Sequence, residues 1–309
     1  MLIHLDTDIG GDPDDVCALA MLLGWPGIEL AGITTVLDRG GVRAGYLVHC
    51  LRLAGATGNP LAAGAAASLT TGLVADPYID DARYWPLDLA PVPSPPGAAV
   101  DLLQHSIERG ATIIAIGPVT NLALLELIRP GSLRHTHVVM MGGWTKLPAP
   151  GYPQWGPEMD WNVQWDTRAA QIVVEAARVT LVPLNVTLAA QLRSADLERL
   201  RSTGSLGDLI ARQSLAHAED AGLMTLGQSH AALPNDLLNF HYDPVACATA
   251  VGDPSVTVAN QRLRPVLDGE ILRFESHPDG RDLRVAQLVD AEMFAERWLS
   301  AVAAAQVTV

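Results

Sequence analysis

Lysine is almost absent from this 309-residue chain, with Lys146 the only one among 20 basic residues. That excludes a Walker phosphate loop and any chemistry needing a catalytic lysine elsewhere. Bases are scarce altogether: 34 acids against 20 bases leave a net charge of −14. Nucleic acid is excluded as a partner on that sign, because phosphates are neutralised by Lys and Arg. An anionic membrane surface is excluded on the same ground. Cysteine is scarce too. Cys17, Cys50 and Cys247 are odd in number, far apart and in no CxxC pair, so neither a disulfide framework nor a thiolate zinc site is suggested. No apolar run approaches the length of a membrane-spanning helix, although 49% of residues are hydrophobic. The opening Met1–Asp6 is strand-like and not a basic segment followed by an apolar one, so no secretory signal is read there. A reduced cytoplasm is the expected home.

What is present is an alternation of strands and helices. Leu2–Asp6, Ile28–Val36, Leu61–Ala63, Ala111–Ile116, His137–Met141 and Val179–Leu184 read as strands. Asp14–Leu23, Val42–Leu53, Ala98–Arg109, Asn121–Ile128 and Arg168–Ala177 read as the helices between them. Short apolar strands separated by helices predict a mostly parallel central sheet covered on both faces. Ser255–Ala259, Glu270–Phe274 and Leu283–Leu288 predict a small antiparallel C-terminal addition, closed by a helix over Ala291–Ala305. The length suits one α/β domain over residues 1–309. Two stretches have no period: Gly64–Pro96, and Trp144–Gln164 with its four prolines and three tryptophans. Irregular segments of that length in a compact domain are usually functional or mobile.

In an open α/β sheet, ligands bind beyond the carboxyl ends of the strands. The first strand runs straight into Asp6-Thr7-Asp8-Ile9-Gly10-Gly11-Asp12-Pro13-Asp14-Asp15, five carboxylates within ten residues. So many like charges are costly unless a cation joins them or some are protonated. The helix that follows favours one or two acids at its N-terminus but cannot satisfy five. The ligands on offer are all oxygen, which suits Ca²⁺ or Mg²⁺ and not zinc. The plainer alternative is that Asp14 or Asp15 caps the helix and the rest are solvated.

These residues resemble the N-terminal signature DxDxGxDDxxAL of the inosine–uridine-preferring nucleoside hydrolases, with this loop two residues longer. Either Asp12 or the pair Asp14-Asp15 fills the later positions. Asp14-Asp15 is the better match, because the pair directly opens the helix. Three further segments extend the resemblance along most of the chain. Ile116-Gly117-Pro118-Val119-Thr120-Asn121 is similar to the segment after the fourth strand, Met159-Asp160-Trp161-Asn162 to the AEFN segment, and His241-Tyr242-Asp243-Pro244-Val245-Ala246 to HDPxA. Departures are visible as well: the HGxxGL loop is replaced by Gly64–Trp85, and Asp38 is the nearest polar residue to a missing asparagine after the second strand.

The resemblance implies a nucleoside-hydrolase-like α/β fold and a Ca²⁺-dependent cleavage of the N-glycosidic bond of small-molecule ribonucleosides. It implies calcium on Asp8, Asp15, the carbonyl of Ile116 and Asp243. Asp8 is then also the general base. Asp14, Asp160, Asn162 and, in rough correspondence, Gln154 hold the ribose hydroxyls. A homodimer or homotetramer is implied by the family alone. For the acid that protonates the leaving base, His241 ranks first, since histidine titrates near neutrality. Tyr242 and His230 are the alternatives. Trp85, Trp155, Phe240 and Tyr242 are the candidates for stacking on the base. Two rival readings remain. Asp6-Thr7-Asp8 also resembles the loop of haloacid-dehalogenase-like phosphatases, with Asp6 as nucleophile. The same scaffold could also sense ribose or a nucleoside without turning it over.

Overall fold

The eleven strands of the computed structural model, which describes residues 1–305, are β1 (Leu2–Thr7), β2 (Glu29–Thr35), β3 (Leu61–Ala63), β4 (Thr112–Ala115), β5 (His137–Met141), β6 (Arg178–Val182), β7 (Gln191–Arg193), β8 (Leu237–Phe240), β9 (Val256–Asp268), β10 (Ile271–Ser276) and β11 (Arg281–Val289). Residues 306–309 of the expected domain lie outside the described residues. Nine strands form one sheet in the order β10-β9-β11-β6-β5-β4-β1-β2-β3. Its core is parallel from β3 through β6. Those central strands are buried on both faces, which is why they read as mainly apolar, with His4 and Asp6 of β1 buried among them.

The pleat divides the apolar residues between two layers. Leu5, Ile114 and Val139 face one side, with Leu19, Leu47, Val245 and Trp298 packed over them. Ile113, Val138 and Met140 face the other, under Leu103, Leu122 and Val173. The helices Asp14–Gly24, Val42–Leu53, Tyr242–Val251 and Ala291–Ala304 therefore cover the first face. Ala98–Glu108, Thr120–Ile128 and Thr167–Ala176 cover the second.

Two differences from the sequence reading have physical causes. The C-terminal addition is antiparallel within itself, but β11 pairs parallel with β6 at Arg284 and Thr180. It therefore continues the main sheet. The stretch 184–240, for which the sequence reading predicts no elements, holds four helices and the β7–β8 pair. Its longest helix, Ser205–Asp220, buries Gln213 and Ser214 beside Leu206, Leu209 and Ile210, so the apolar period is broken. Among the described residues, no helix is long and apolar enough to cross a membrane.

The carboxyl ends of β1, β4 and β5 lie side by side in register. The segments leaving them supply most of the site.

Candidate active site

The loop after β1 is built from its own side chains. Thr7 Oγ1 donates to Asp15 and accepts from the backbone N–H of Ile9 at 3.1 Å. Asp12 Oδ1 accepts from the N–H of Asp14 at 3.1 Å and from Asn239 Nδ2 at 2.7 Å, and Asp12 Oδ2 lies 3.6 Å from His217 Nε2. Asp12 thus reaches toward β8 while also lining the same cavity as Asp14 and Asp15. Asp14 and Asp15 open the helix Asp14–Gly24, both buried. Asp243 sits in the first turn of the helix Tyr242–Val251, buried as well.

One carboxylate oxygen from each of Asp14, Asp15 and Asp243 lies within 4.8 Å of the others. Burial pushes all three carboxyls well above the usual range, and the neighbouring carboxylates push further. Three buried acids this close cannot all ionise without a compensating cation. The donors are all oxygen, which fits a hard divalent ion. Asp8 stands outside that triad but lines the same cavity, as does Ile116. Burial also raises the Asp8 carboxyl, against the opposing charge of Arg43. Gly117 makes room here, because a Cβ on it would stand 2.7 Å from Asp8 Oδ1.

The cavity measures about 410 Å³. Its opposite wall comes from the segment after β5: Trp155, Met159, Asp160, Trp161 and Asn162, with Met141, Leu184 and Tyr242 beside them. Asp160 is buried and accepts from the N–H groups of Gly143 at 2.7 Å, Trp144 at 3.0 Å and Val163 at 3.4 Å. Burial pushes its carboxyl up to about 6, with those amides pulling the other way. Asn162 Nδ2 donates to the carbonyls of Ile116 at 3.0 Å and Met141 at 3.3 Å.

The fold therefore brings together Asp8, Asp14, Asp15, Ile116, Asp160, Asn162 and Asp243 in one cavity. Two expected residues are elsewhere. Gln154 does not line the cavity; its amide donates to the carbonyls of Pro148, Ala149 and Tyr152 in its own loop. His241 is 1% exposed, with its ring 4.2 Å from that of Trp298 and 5.5 Å from that of Phe294. It starts a helix with its side chain in the core while Tyr242 takes the cavity side. That is the rotation which one extra residue imposes on a helical register. Burial lowers the His241 imidazole to about 3, so the ring is uncharged near neutrality. His230, the other histidine considered, bonds Ser229 and the carbonyl of Leu226 outside the cavity.

Of the stacking candidates, Trp155 and Tyr242 line the cavity. Phe240 is buried beneath them, edge-on to Trp155 at 5.8 Å. Trp85 is in the core, stacked on Tyr46 at 4.3 Å with its Nε1 donating to the Gly10 carbonyl at 2.9 Å. Sequence reasoning did not single out Trp161 for the wall or Arg43 at all. Trp161 belonged to a recognised segment, whereas Arg43 carries no motif. Asp6, the nucleophile that a phosphatase would need, is fully buried; Thr34 and Asn121 donate to its Oδ1. Neither Asp6 nor Lys146 lines the cavity.

The family model described as inosine-uridine preferring nucleoside hydrolase matches residues 3–296. A pyrimidine-specific ribonucleoside hydrolase of Salmonella paratyphi A is 32% identical over 215 residues. That match covers 66% of this chain and 66% of the relative. Two solved structures share the fold. A plant nucleoside hydrolase superposes with a TM-score of 0.78 at 22% identity, covering 97% of this chain and 98% of its own. A purine-preferring ribonucleoside hydrolase from Gardnerella vaginalis superposes with a TM-score of 0.77 at 21% identity, covering 100% of both.

Proposed function

Since this chain belongs to the inosine–uridine-preferring nucleoside hydrolase family, we propose that it hydrolyses the N-glycosidic bond of ribonucleosides, as one domain with a Ca²⁺ ion in its acidic site. The observation that carries this reading is the convergence of Asp14, Asp15 and Asp243, three buried carboxylates with an oxygen of each within 4.8 Å of the others. Asp8, Asp15, Asp243 and the Ile116 carbonyl would hold the ion, an all-oxygen set of the kind calcium takes. Once bound, such an ion supplies a water of lowered pKa.

The chain's own groups do the rest. Asp8 accepts the proton of the attacking water on its carboxylate. Asp14, Asp160 and Asn162 grip the ribose hydroxyls. Their negative and polar groups favour the oxocarbenium-like charge that develops as the base departs. The Trp155, Trp161 and Tyr242 side chains give the base an apolar, aromatic seat. With His241 in the core, the hydrogen-bond donor to the departing base is Tyr242, whose hydroxyl burial and the nearby acids keep protonated.

The test is release of free ribose from inosine, adenosine, uridine and cytidine, with and without EDTA. Ribose released only without the chelator supports the reading. Phosphate released from phosphate esters, or nucleoside binding without turnover, would replace it with one of its two rivals.

A further inference from the structure

Three consecutive backbone carbonyls of the loop after β1 accept hydrogen bonds from side chains. Arg43 Nη1 donates to the carbonyls of Asp8 and Ile9, the second at 2.9 Å. Trp85 Nε1 takes the next one, Gly10. The same guanidinium reaches the loop after β2 as well, with Nε donating to the Leu37 carbonyl at 3.0 Å. Leu37 is fully buried and is the one non-glycine residue among those described with a positive φ, 53°. A leucine holds that conformation only where its surroundings over-determine it. Here they include Asp38, which accepts from Thr35 Oγ1 at 2.7 Å and from the N–H groups of Arg43 and Ala44 at 3.0 Å.

Both clamps are carried by one helix. Arg43 and Tyr46 lie almost one turn apart on Val42–Leu53, and Tyr46 is the ring on which Trp85 stacks. The approach is close: a Cβ on Gly10 would stand 2.7 Å from Arg43 Nη1.

We infer that Arg43 is a positioning residue, which fixes the Asp8 carboxylate in the cavity by gripping the backbone of its loop and tying it to the end of β2. The inference rests on the nucleoside-hydrolase reading and adds a residue to that site. It needs a forked donor. A planar guanidinium spans three carbonyls from two loops, whereas an ammonium is a point charge. Small misplacements of a reacting group cost about 100-fold in rate.

Steady-state kinetics of Arg43→Lys and Trp85→Phe, with melting temperatures, test it on whichever of inosine and uridine the wild type cleaves. Arg43→Lys should lower kcat about 10- to 100-fold with KM within about twofold. Trp85→Phe keeps a ring on Tyr46 and loses the bond to Gly10 with some packing, which the melting temperature reads, so it should move kcat the same way by less. A wild-type kcat in Arg43→Lys would show that charge alone suffices and overturn the inference. So would a raised KM with intact kcat, which would make Arg43 a substrate contact. A loss of activity that tracks the unfolded fraction and vanishes at a lower assay temperature would also overturn it. Wild-type protein that releases no ribose would sink the enzymatic reading, and this inference with it.

Discussion

Asn162 donates its side-chain amide to the carbonyl oxygen of Ile116 at 3.0 Å. One amide thus joins a residue assigned to ribose with a carbonyl assigned to the cation. Replacing it should disturb both at once. Asn162→Ala is expected to lower kcat/KM on nucleosides about 100-fold or more, the usual cost of one preorganised donor. It should also weaken Ca²⁺ binding in a calorimetric titration. Weakened catalysis with unaltered Ca²⁺ affinity would break the link.

The two-residue extension of the acidic loop leaves Asp12 at the edge of the same cavity, with Asn239 as its partner. Its Oδ1 is held by Asn239 at 2.7 Å, while Asp14, Asp15 and Asp243 converge. Asp15→Asn should therefore weaken Ca²⁺ affinity by more than about 100-fold, and Asp12→Asn by less, about 10- to 100-fold, as expected of a residue that touches the ligands and not the ion. The reverse order in a Ca²⁺ titration would assign the pair to the wrong carboxylates.

Asp160 ties its backbone neighbours together at the price of a raised carboxyl, about 6 against an ordinary value near 4. Because the folded value lies above the unfolded one, its contribution to stability is full below pH 4 and lost as pH rises through 6. Asp160→Ala orphans the N–H groups of Gly143 and Trp144, each costing about 1–3 kcal/mol. Urea melts should show the variant less stable throughout, with the gap to wild type narrowing between pH 4 and pH 6. A gap that widens over that range would contradict the assigned shift.

His241 has the opposite sign. Burial lowers its folded value to about 3, so its contribution to stability is present above pH 6.5 and lost as pH falls toward 3. His241→Phe, placed among Trp298 and Phe294, should flatten that acid loss. It should also leave unchanged the ratio of turnover on uridine to turnover on p-nitrophenyl riboside, whose leaving group needs no proton. A selective loss on uridine would return His241 to the role of acid.

The sequence carries the fold where burial is two-sided. β4 and β5 are mainly apolar because both faces are covered. It is silent over 184–240, where polar Gln213 and Ser214 share the buried face of their helix. The acidic loop stands out because five carboxylates within ten residues repel one another unless a cation joins them. Arg43 does not stand out, since it serves the site through backbone carbonyls, which any sequence has. His241 was misplaced for a geometric reason: which of two adjacent residues at a helix start faces the cavity depends on the entry of the chain. Tyr242 won that position, with its ring against Phe240 at 5.3 Å.

The central claim is that the acidic cluster holds a cation, on Asp8, Asp15 and Asp243, for nucleoside cleavage. It is tested most directly by following ribose release from inosine and uridine as protein stripped with EDTA is titrated with Ca²⁺. The account predicts no release from the stripped protein and recovery as Ca²⁺ saturates the site. Melting temperature should rise in parallel, because the ion binds only the folded state. Asp15→Asn should recover neither. Full turnover and unchanged melting with the chelator in excess would contradict the account.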